Sequence, residues 1–196
     1  MDEIKRFLDT LGDSPRHLKG AAAFRLVVGM TLLYQLTMLV GHFDLTMGAS
    51  SIYRFDDFAS GFGTLHYSYM AASESLAWQW AGFAFCLGVV ALWTTGIGAQ
   101  FGVLGHVLTA LTWWSVHSIH ARCSTLWDGG DNLTEILLIY AVFIDLWNSP
   151  AEGKRPGRVA ITLHNVAMLA CVLQICIMYF TAGITKVPGK YWQNGT

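Results

Sequence analysis

Five runs of mostly apolar residues constrain this chain more than any other feature of its sequence. A helix needs about 20 such residues to cross the hydrocarbon core of a bilayer. The runs cover roughly residues 21–42, 76–96, 98–119, 132–148 and 160–184, although the third contains polar groups and the fourth is short. They predict an all-α, polytopic integral membrane helix bundle with about five transmembrane helices.

The small supply of charged residues supports a membrane location. Only 13% of the 196 residues are charged, whereas soluble domains carry about 25%. The net charge is −1 and the chain has no basic tract, so nucleic acid is not an expected partner. The lipid bilayer is the first partner that the sequence predicts.

Two further segments complete the predicted architecture. Residues 1–20 are expected to form an amphipathic helix on the membrane surface, and its apolar stripe comprises Ile4, Phe7, Leu8 and Leu11. Residues 21–196 are expected to form one transmembrane domain. The loop at about 43–75 is rich in aromatic residues and glycine. We expect it to fold back as a re-entrant or interfacial cap, because irregular backbone near membrane depth must be shielded by protein.

The distribution of lysine and arginine predicts the orientation. Eight of these residues belong to the N-terminal side and the loop before the last run: Lys5, Arg6, Arg16, Lys19, Arg25, Lys154, Arg155 and Arg158. Four belong to the other side: Arg54, Arg122, Lys186 and Lys190. The excess places the N-terminus in the cytoplasm of a multi-pass protein of the cell membrane, which in a bacterium would be the inner membrane.

The third run carries a stripe of histidines. At 100° per residue, His106 and His117 lie about 20° apart around a helix, and His120 follows one turn later. The stripe could hold a metal, a haem or a quinone headgroup, or it could be a set of hydrogen-bonded histidines at an interface. No HxxxH or HExxH pattern is present, so no metal site is predicted.

The stretch "RCSTLWDGGDNLTEILL" is dense in polar groups. Asn132 followed by Glu135 matches a capping box at the start of the fourth helix, which would give Glu135 a structural role instead of a catalytic one. Arg122, Asp128 and Asp131 are expected at one membrane level. They could pair within a site or form a solvated ion cluster.

The stretch "ITKVPGKYW" ends the fifth run with two lysines. Lys186 could be a snorkelling anchor, or it could be a partly buried amine that acts as a base. Lys190 is a second possible anchor, next to Tyr191 and Trp192. We therefore expect Lys186 to point into the bundle.

Four motifs together resemble a known superfamily. "YFTAGITKVPGKYWQNG" resembles a lysine-containing segment of the vitamin K-dependent γ-carboxylases. "FRLVVG", "SSIYRFDDF" and "RCSTLWDGGDNLTEILLIYAVFID" look like successive motifs of the related bacterial HTTM domain (horizontally transferred transmembrane domain). The resemblance runs in order from about residue 22 to the end of the chain.

The resemblance implies a quinone-linked enzyme that modifies a peptide or protein at the non-cytoplasmic face. Lys186 would be the base acting on a reduced, vitamin K-like quinone. Further candidate residues for binding substrate or cofactor are Arg54, His117, His120, Arg122, Asp131, Glu135 and Trp192.

The chain departs from the carboxylases in two respects. Gly129 and Gly130 stand where those enzymes have an asparagine–histidine pair. The family continues with further helices, which another membrane chain could supply or which a reduced or truncated member would lack. The sporulation-delaying-protein B group looks like the same superfamily. It offers the alternative of a non-catalytic accessory or scaffold protein for maturation or export of a secreted peptide.

Overall fold

The computed structural model describes residue 3 and residues 10–62, 67–96, 103–126, 128–144 and 157–189. Within these ranges the chain is all-helical, as predicted. Its five long helices are α1 (Leu18–Val40), α2 (Leu76–Thr95), α3 (Val103–Arg122), α4 (Gly129–Ala141) and α5 (Arg158–Lys186). Each overlaps one predicted run.

Three of the helices in the described ranges are long and apolar enough to cross a membrane, namely α1, α2 and α5. The helix α3 is interrupted by polar side chains, and α4 has 13 residues, which corresponds to about 20 Å of helix. Large apolar side chains on α1 and α5 are exposed, among them Val27, Met30, Val172 and Ile177. Many exposed large apolar side chains are typical of contact with a membrane or with another protein.

The helices pack in chain order, with α1 against α2, α2 against α3, α3 against α4, and α4 against α5. The main core contains buried residues of the first four helices, such as Leu36, Trp93, Ile119 and Leu138. The Trp93 indole N–H donates to Thr109 Oγ1 over 3.1 Å, which satisfies a polar group between α2 and α3. A second cluster joins α1, α4 and α5 and comprises Ala21, Leu137, Ile144, Ala167 and Cys171.

Residues 41–62 and 67–75 fold against one end of the bundle and form a cap. The cap contains short helices at Phe43–Thr46 and Phe55–Asp57, a π-helical turn at Phe58–Phe62 and a 3₁₀ turn at Tyr69–Ala72. Phe43, Phe58 and Met70 are buried. The helices donate to the carbonyl groups of the cap: Trp114 Nε1 to Tyr67 over 3.0 Å, and Gln79 Nε2 to Met70 over 2.9 Å.

The predicted N-terminal amphipathic helix lies largely outside the described residues, since Ile4, Phe7 and Leu8 are not among them. Leu11 is buried. The segment that follows lies on α5, where Asn165 Nδ2 donates to the carbonyl groups of Leu11 and Ser14 over 2.8 and 2.9 Å. The basic residues Lys154 and Arg155 also fall outside the described ranges.

Candidate functional site

The start of α4 corrects one prediction from the sequence. The helix begins at Gly129 and is capped by Asp128, whose carboxylate accepts hydrogen bonds from the backbone N–H groups of Gly130 and Asp131 over 2.6 and 3.1 Å. The Asp131 side chain accepts from the backbone N–H of Asp128 over 3.2 Å and completes the capping box. The predicted box of Asn132 and Glu135 is wrong, because the helix starts one turn earlier.

Glu135 therefore takes no part in capping α4. It lies between two histidines of α3. Its Oε2 is 2.7 Å from His117 Nδ1 and its Oε1 is 2.8 Å from His120 Nδ1. The residue is only 8% exposed. The Trp113 ring stacks on the His117 ring with a centroid distance of 5.5 Å and an interplanar angle of 13°. This His117–Glu135–His120 group is the central part of the candidate site.

The hydrogen bonds assign the protonation of the two rings. An ionised carboxylate can only accept hydrogen bonds, so each imidazole donates to Glu135 through its Nδ1–H. In the neutral form each Nε2 is then an acceptor. A carboxylate bound to Nδ1 also orients the imidazole. The arrangement suits the acceptance of a proton at Nε2.

His120 has a second carboxylate nearby. Asp131 Oδ1 is 3.9 Å from His120 Nε2, too far for a direct hydrogen bond. The same oxygen accepts from Gln35 Nε2 of α1 over 3.2 Å. Asp131 thus connects the capping of α4 with α1 and adds negative charge next to the Nε2 atom that faces away from Glu135.

A cavity of about 290 Å³ lies against His120. Its apolar wall comprises Tyr34, Met38, Leu39, Cys123 and Leu126, and its polar groups come from Gln35, His42, His120 and Asp131. Burial raises the pKa of the Cys123 thiol to about 12, so the thiol stays neutral and is not an activated nucleophile. An apolar cavity with a few polar groups on one side is typical of a small-molecule site.

His106 lies on the same face of α3 as His117 and His120, nearer the N-terminus of the helix. Its Nδ1 is 2.7 Å from the Val142 carbonyl oxygen, just after α4. All three histidines of the predicted stripe therefore contact α4 or the residue that follows it, and the stripe faces the interior of the bundle.

The two arginines of the predicted site have different surroundings. Arg122 is 1% exposed, and it donates to the Tyr53 carbonyl over 2.7 Å and to Ser51 Oγ over 2.8 Å. It anchors the cap, and the predicted pairing with Asp128 and Asp131 is replaced by this contact. The Arg54 side chain is 78% exposed and forms an ion pair with Asp56 over 3.8 Å. Both arginines line a separate cavity of about 410 Å³.

Lys186 is the last residue of α5, as the sequence suggested. It is exposed, so the expectation that its side chain lies inside the bundle is wrong. The reason is that α5 loses its neighbours beyond Cys171: from Val172 onward no described residue of the helix is buried. Trp192 lies outside the described residues, as do Lys190 and Tyr191.

Sequence reasoning missed two members of the site. Gln35 sits in an apolar run where a single amide gives no periodic signal, although a polar side chain in a span is itself a reason to expect a partner. Asp128 was seen as part of an ion cluster and not as a cap. Its position two residues before Gly130 could have revealed it, because aspartate is among the preferred N-cap residues.

The chain was also compared with known protein families, with characterised proteins and with solved structures, and none of the three comparisons found a match.

Proposed function

We propose that this protein is a multi-pass membrane enzyme that transfers a proton to or from a lipid-soluble, quinone-like cofactor, in the modification of a secreted peptide or protein. The proposal depends on one observation: both oxygens of the buried Glu135 carboxylate bind a histidine, and one of these histidines lines an apolar cavity. The vitamin K-dependent carboxylase-like motifs add support from the sequence.

The residues of the cavity fit such a cofactor. Its walls are apolar, whereas Gln35, His120 and Asp131 offer a donor, a base and an acceptor to the oxygens of an aromatic headgroup. A bound reduced quinone would supply two electrons, and dioxygen would accept them. Gln35 and Asp131 would orient the ring, and His120 Nε2 would accept the proton of a ring hydroxyl. Glu135 stabilises the resulting imidazolium through Nδ1.

Lys186 remains the base that the carboxylase resemblance implies. Its exposure makes His120 the better candidate in this chain, because a desolvated site is what makes a base and its partner carboxylate effective. The two assignments differ in what a substitution at each position should do.

The test uses purified protein in air-saturated liposomes that contain a reduced naphthoquinone, so that dioxygen accepts the two electrons, and quinone formation is followed by absorbance against protein-free liposomes. We expect His120→Gln and Glu135→Gln to lower the rate at least tenfold, because proton transfer by a positioned side chain contributes roughly 10²–10⁴-fold. Lys186→Arg should retain most activity, and Arg54→Gln serves as the exposed control.

Three results would contradict the proposal. Wild-type protein that oxidises no reduced naphthoquinone above the protein-free rate removes the enzymatic function. Full activity in His120→Gln removes His120 as the base. Loss of activity in Lys186→Arg, which keeps the charge but cannot release a proton, returns that role to Lys186.

One observation favours the accessory or scaffold alternative. The half of α5 after Cys171 presents exposed apolar side chains, including Leu173, Ile177 and Phe180. A second membrane chain could pack on such a surface. A scaffold would support peptide maturation or export equally well in the wild type and in His120→Gln, so the same variant separates the two functions.

A further inference from the structure

A third cavity lies at the opposite end of α1 from the histidine site and shares no lining residue with it. It has a volume of about 400 Å³ and is formed between the start of α1 and the first half of α5. The lining residues are Leu11, Arg16, His17, Gly20, Asn165, Met168, Leu169 and Val172. It combines an apolar groove with one cationic side chain, and none of these eight residues is acidic.

Hydrogen bonds between the segment before α1 and the helix α5 fix the two walls of the groove relative to each other. Asn165 Oδ1 accepts from the Arg16 backbone N–H over 2.8 Å, and His164 Nε2 is 2.7 Å from the Arg16 carbonyl oxygen. His17 adopts a left-handed conformation with φ of 58°, which turns the chain from this contact into α1. The backbone of Arg16 is thereby fixed on α5, whereas its side chain is exposed at the rim.

The two helices that form the groove determine how deep it lies in the membrane. Arg16 precedes the apolar α1 by two residues, which places its guanidinium at the membrane interface. Val172 lies 14 residues into α5, which corresponds to about 21 Å of helix. The groove therefore runs from interfacial depth into the hydrocarbon region, with the positive charge at its shallow end and apolar side chains along its length.

We propose that this groove binds an anionic phospholipid. The phosphate is held by the Arg16 guanidinium, whose contact with the Thr10 carbonyl is a long one of 3.4 Å, and one acyl chain lies along Met168, Leu169 and Val172. An arginine suits this role because its planar group has five N–H donors that match phosphate oxygens. Basic pockets between transmembrane helices on the cytoplasmic side commonly bind anionic headgroups.

Gly20 keeps the groove accessible and offers a matched pair of variants. A Cβ atom added there would lie 3.8 Å from Met168 Cε and 3.7 Å from His17 Cβ, which is ordinary van der Waals contact. Gly20→Ala should therefore leave the groove open. Gly20→Phe should fill it with a ring while leaving the exposed N-terminal turn of α1 intact.

The experiment measures retained lipids by native mass spectrometry after the protein, in detergent micelles, is titrated with phosphatidylglycerol or phosphatidylcholine. Wild type, Gly20→Ala and the charge control Lys19→Gln should retain phosphatidylglycerol preferentially. Arg16→Gln should weaken this binding about fivefold, since one basic residue near a membrane surface contributes about 1 kcal/mol. Gly20→Phe should abolish it.

Glycerol phosphate at millimolar concentration should not displace the lipid, because the acyl chain contributes to binding. Equal retention of the two phospholipids, or binding to Arg16→Gln and Gly20→Phe as tight as to wild type, would overturn the proposal. Displacement by glycerol phosphate alone would assign the site to a free phosphate compound instead. Circular dichroism of each variant confirms that the helices are intact.

Discussion

At the scale of single residues, the buried Glu135 carboxylate determines what the candidate site can do. It accepts one hydrogen bond on each oxygen, and both donors come from α3. Buried hydrogen bonds to a charged group are stronger than neutral ones. The residue is therefore important for the packing of α3 against α4 as well as for chemistry.

Glu135→Gln should destabilise the protein by about 1–3 kcal/mol, the usual cost of leaving a buried donor without its acceptor. The amide has a single oxygen, so one imidazole must lose its Nδ1–H bond or change tautomer to accept from the NH₂ group, and both contacts lose the negative charge. Thermal or denaturant unfolding in detergent would measure the change. Asp56→Asn, which removes an exposed carboxylate, should leave the midpoint within error. Unchanged stability in Glu135→Gln would show that the two hydrogen bonds contribute nothing net.

The sequence could predict the members of this site better than their roles. His117 and His120 follow from helical periodicity, and Glu135 follows from its place in an apolar run. Their mutual contact depends on how far α4 is rotated and where it starts, and neither quantity is encoded in local spacing. The Asn132–Glu135 pattern imitates a capping box, and only the hydrogen bonds of Asp128 exclude it.

At the scale of elements, the start of α4 gives a direct test of that correction. Asp128→Ala removes the acceptor for two backbone N–H groups and should destabilise the protein by about 1 kcal/mol. Asn132→Ala alters an exposed residue inside the helix and should have little effect. Unfolding midpoints of the two variants, measured side by side, check the assignment. A larger loss of stability in Asn132→Ala than in Asp128→Ala would support the Asn132–Glu135 capping box that the sequence suggested.

The cap over the bundle depends on one buried side chain. Arg122 joins the end of α3 to the carbonyl of Tyr53 and to Ser51, and its guanidinium lies 5.3 Å from the centre of the Phe58 ring. The sequence predicted that the aromatic loop would fold back, because its composition is too apolar for a solvated linker. It did not indicate Arg122 as the anchor, because the loop itself contains only Arg54 and the partner on α3 is distant in sequence.

Arg122→Gln should loosen the cap, because the shorter, neutral amide cannot reproduce both contacts. Trypsin cleavage after the exposed Arg54 is a convenient measurement, and we expect the variant to be cut several-fold faster than wild type. Lys19→Gln, at the other end of α1, serves as the control. Equal cleavage rates would indicate that the apolar contacts of Phe43, Phe58 and Met70 hold the cap without Arg122.

At the scale of the whole molecule, the path of the chain constrains the number of membrane crossings. The cap lies between α1 and α2, and it contacts Arg122 at the end of α3. At the other end of the bundle, a Cβ atom added to Gly96, the residue after α2, would approach the Arg25 guanidinium of α1. The helix α3 therefore runs back to the cap end. If α1 and α2 cross the bilayer, α3 crosses it too, despite its polar residues.

Hydropathy alone leaves this question open, since only α1, α2 and α5 satisfy the criteria for a span among the described residues. Apolar runs predicted where the helices are, and the bounds agree within three residues for α1, α2 and α5, whereas α3 starts five residues after the start of its run and α4 ends seven residues before the end of its run. They could not predict that the polar side chains of α3 would face α4 and Glu135. This pairing is what makes a polar helix compatible with a membrane interior.

Gly129→Cys and Gly157→Cys distinguish three spans from five. Both glycines are exposed and have open space around the position of an added Cβ atom, so the side chains themselves do not block reaction. With five spans and a cytoplasmic N-terminus, α4 separates the two positions. An impermeant thiol reagent applied to intact cells should then label position 129 and not position 157, in a Cys176→Ser background. After permeabilisation both positions should react.

If α3 and α4 did not cross, both glycines would lie on the cytoplasmic side and neither would be labelled in intact cells. Labelling of position 157 alone would reverse the orientation that the eight-to-four distribution of lysine and arginine predicts.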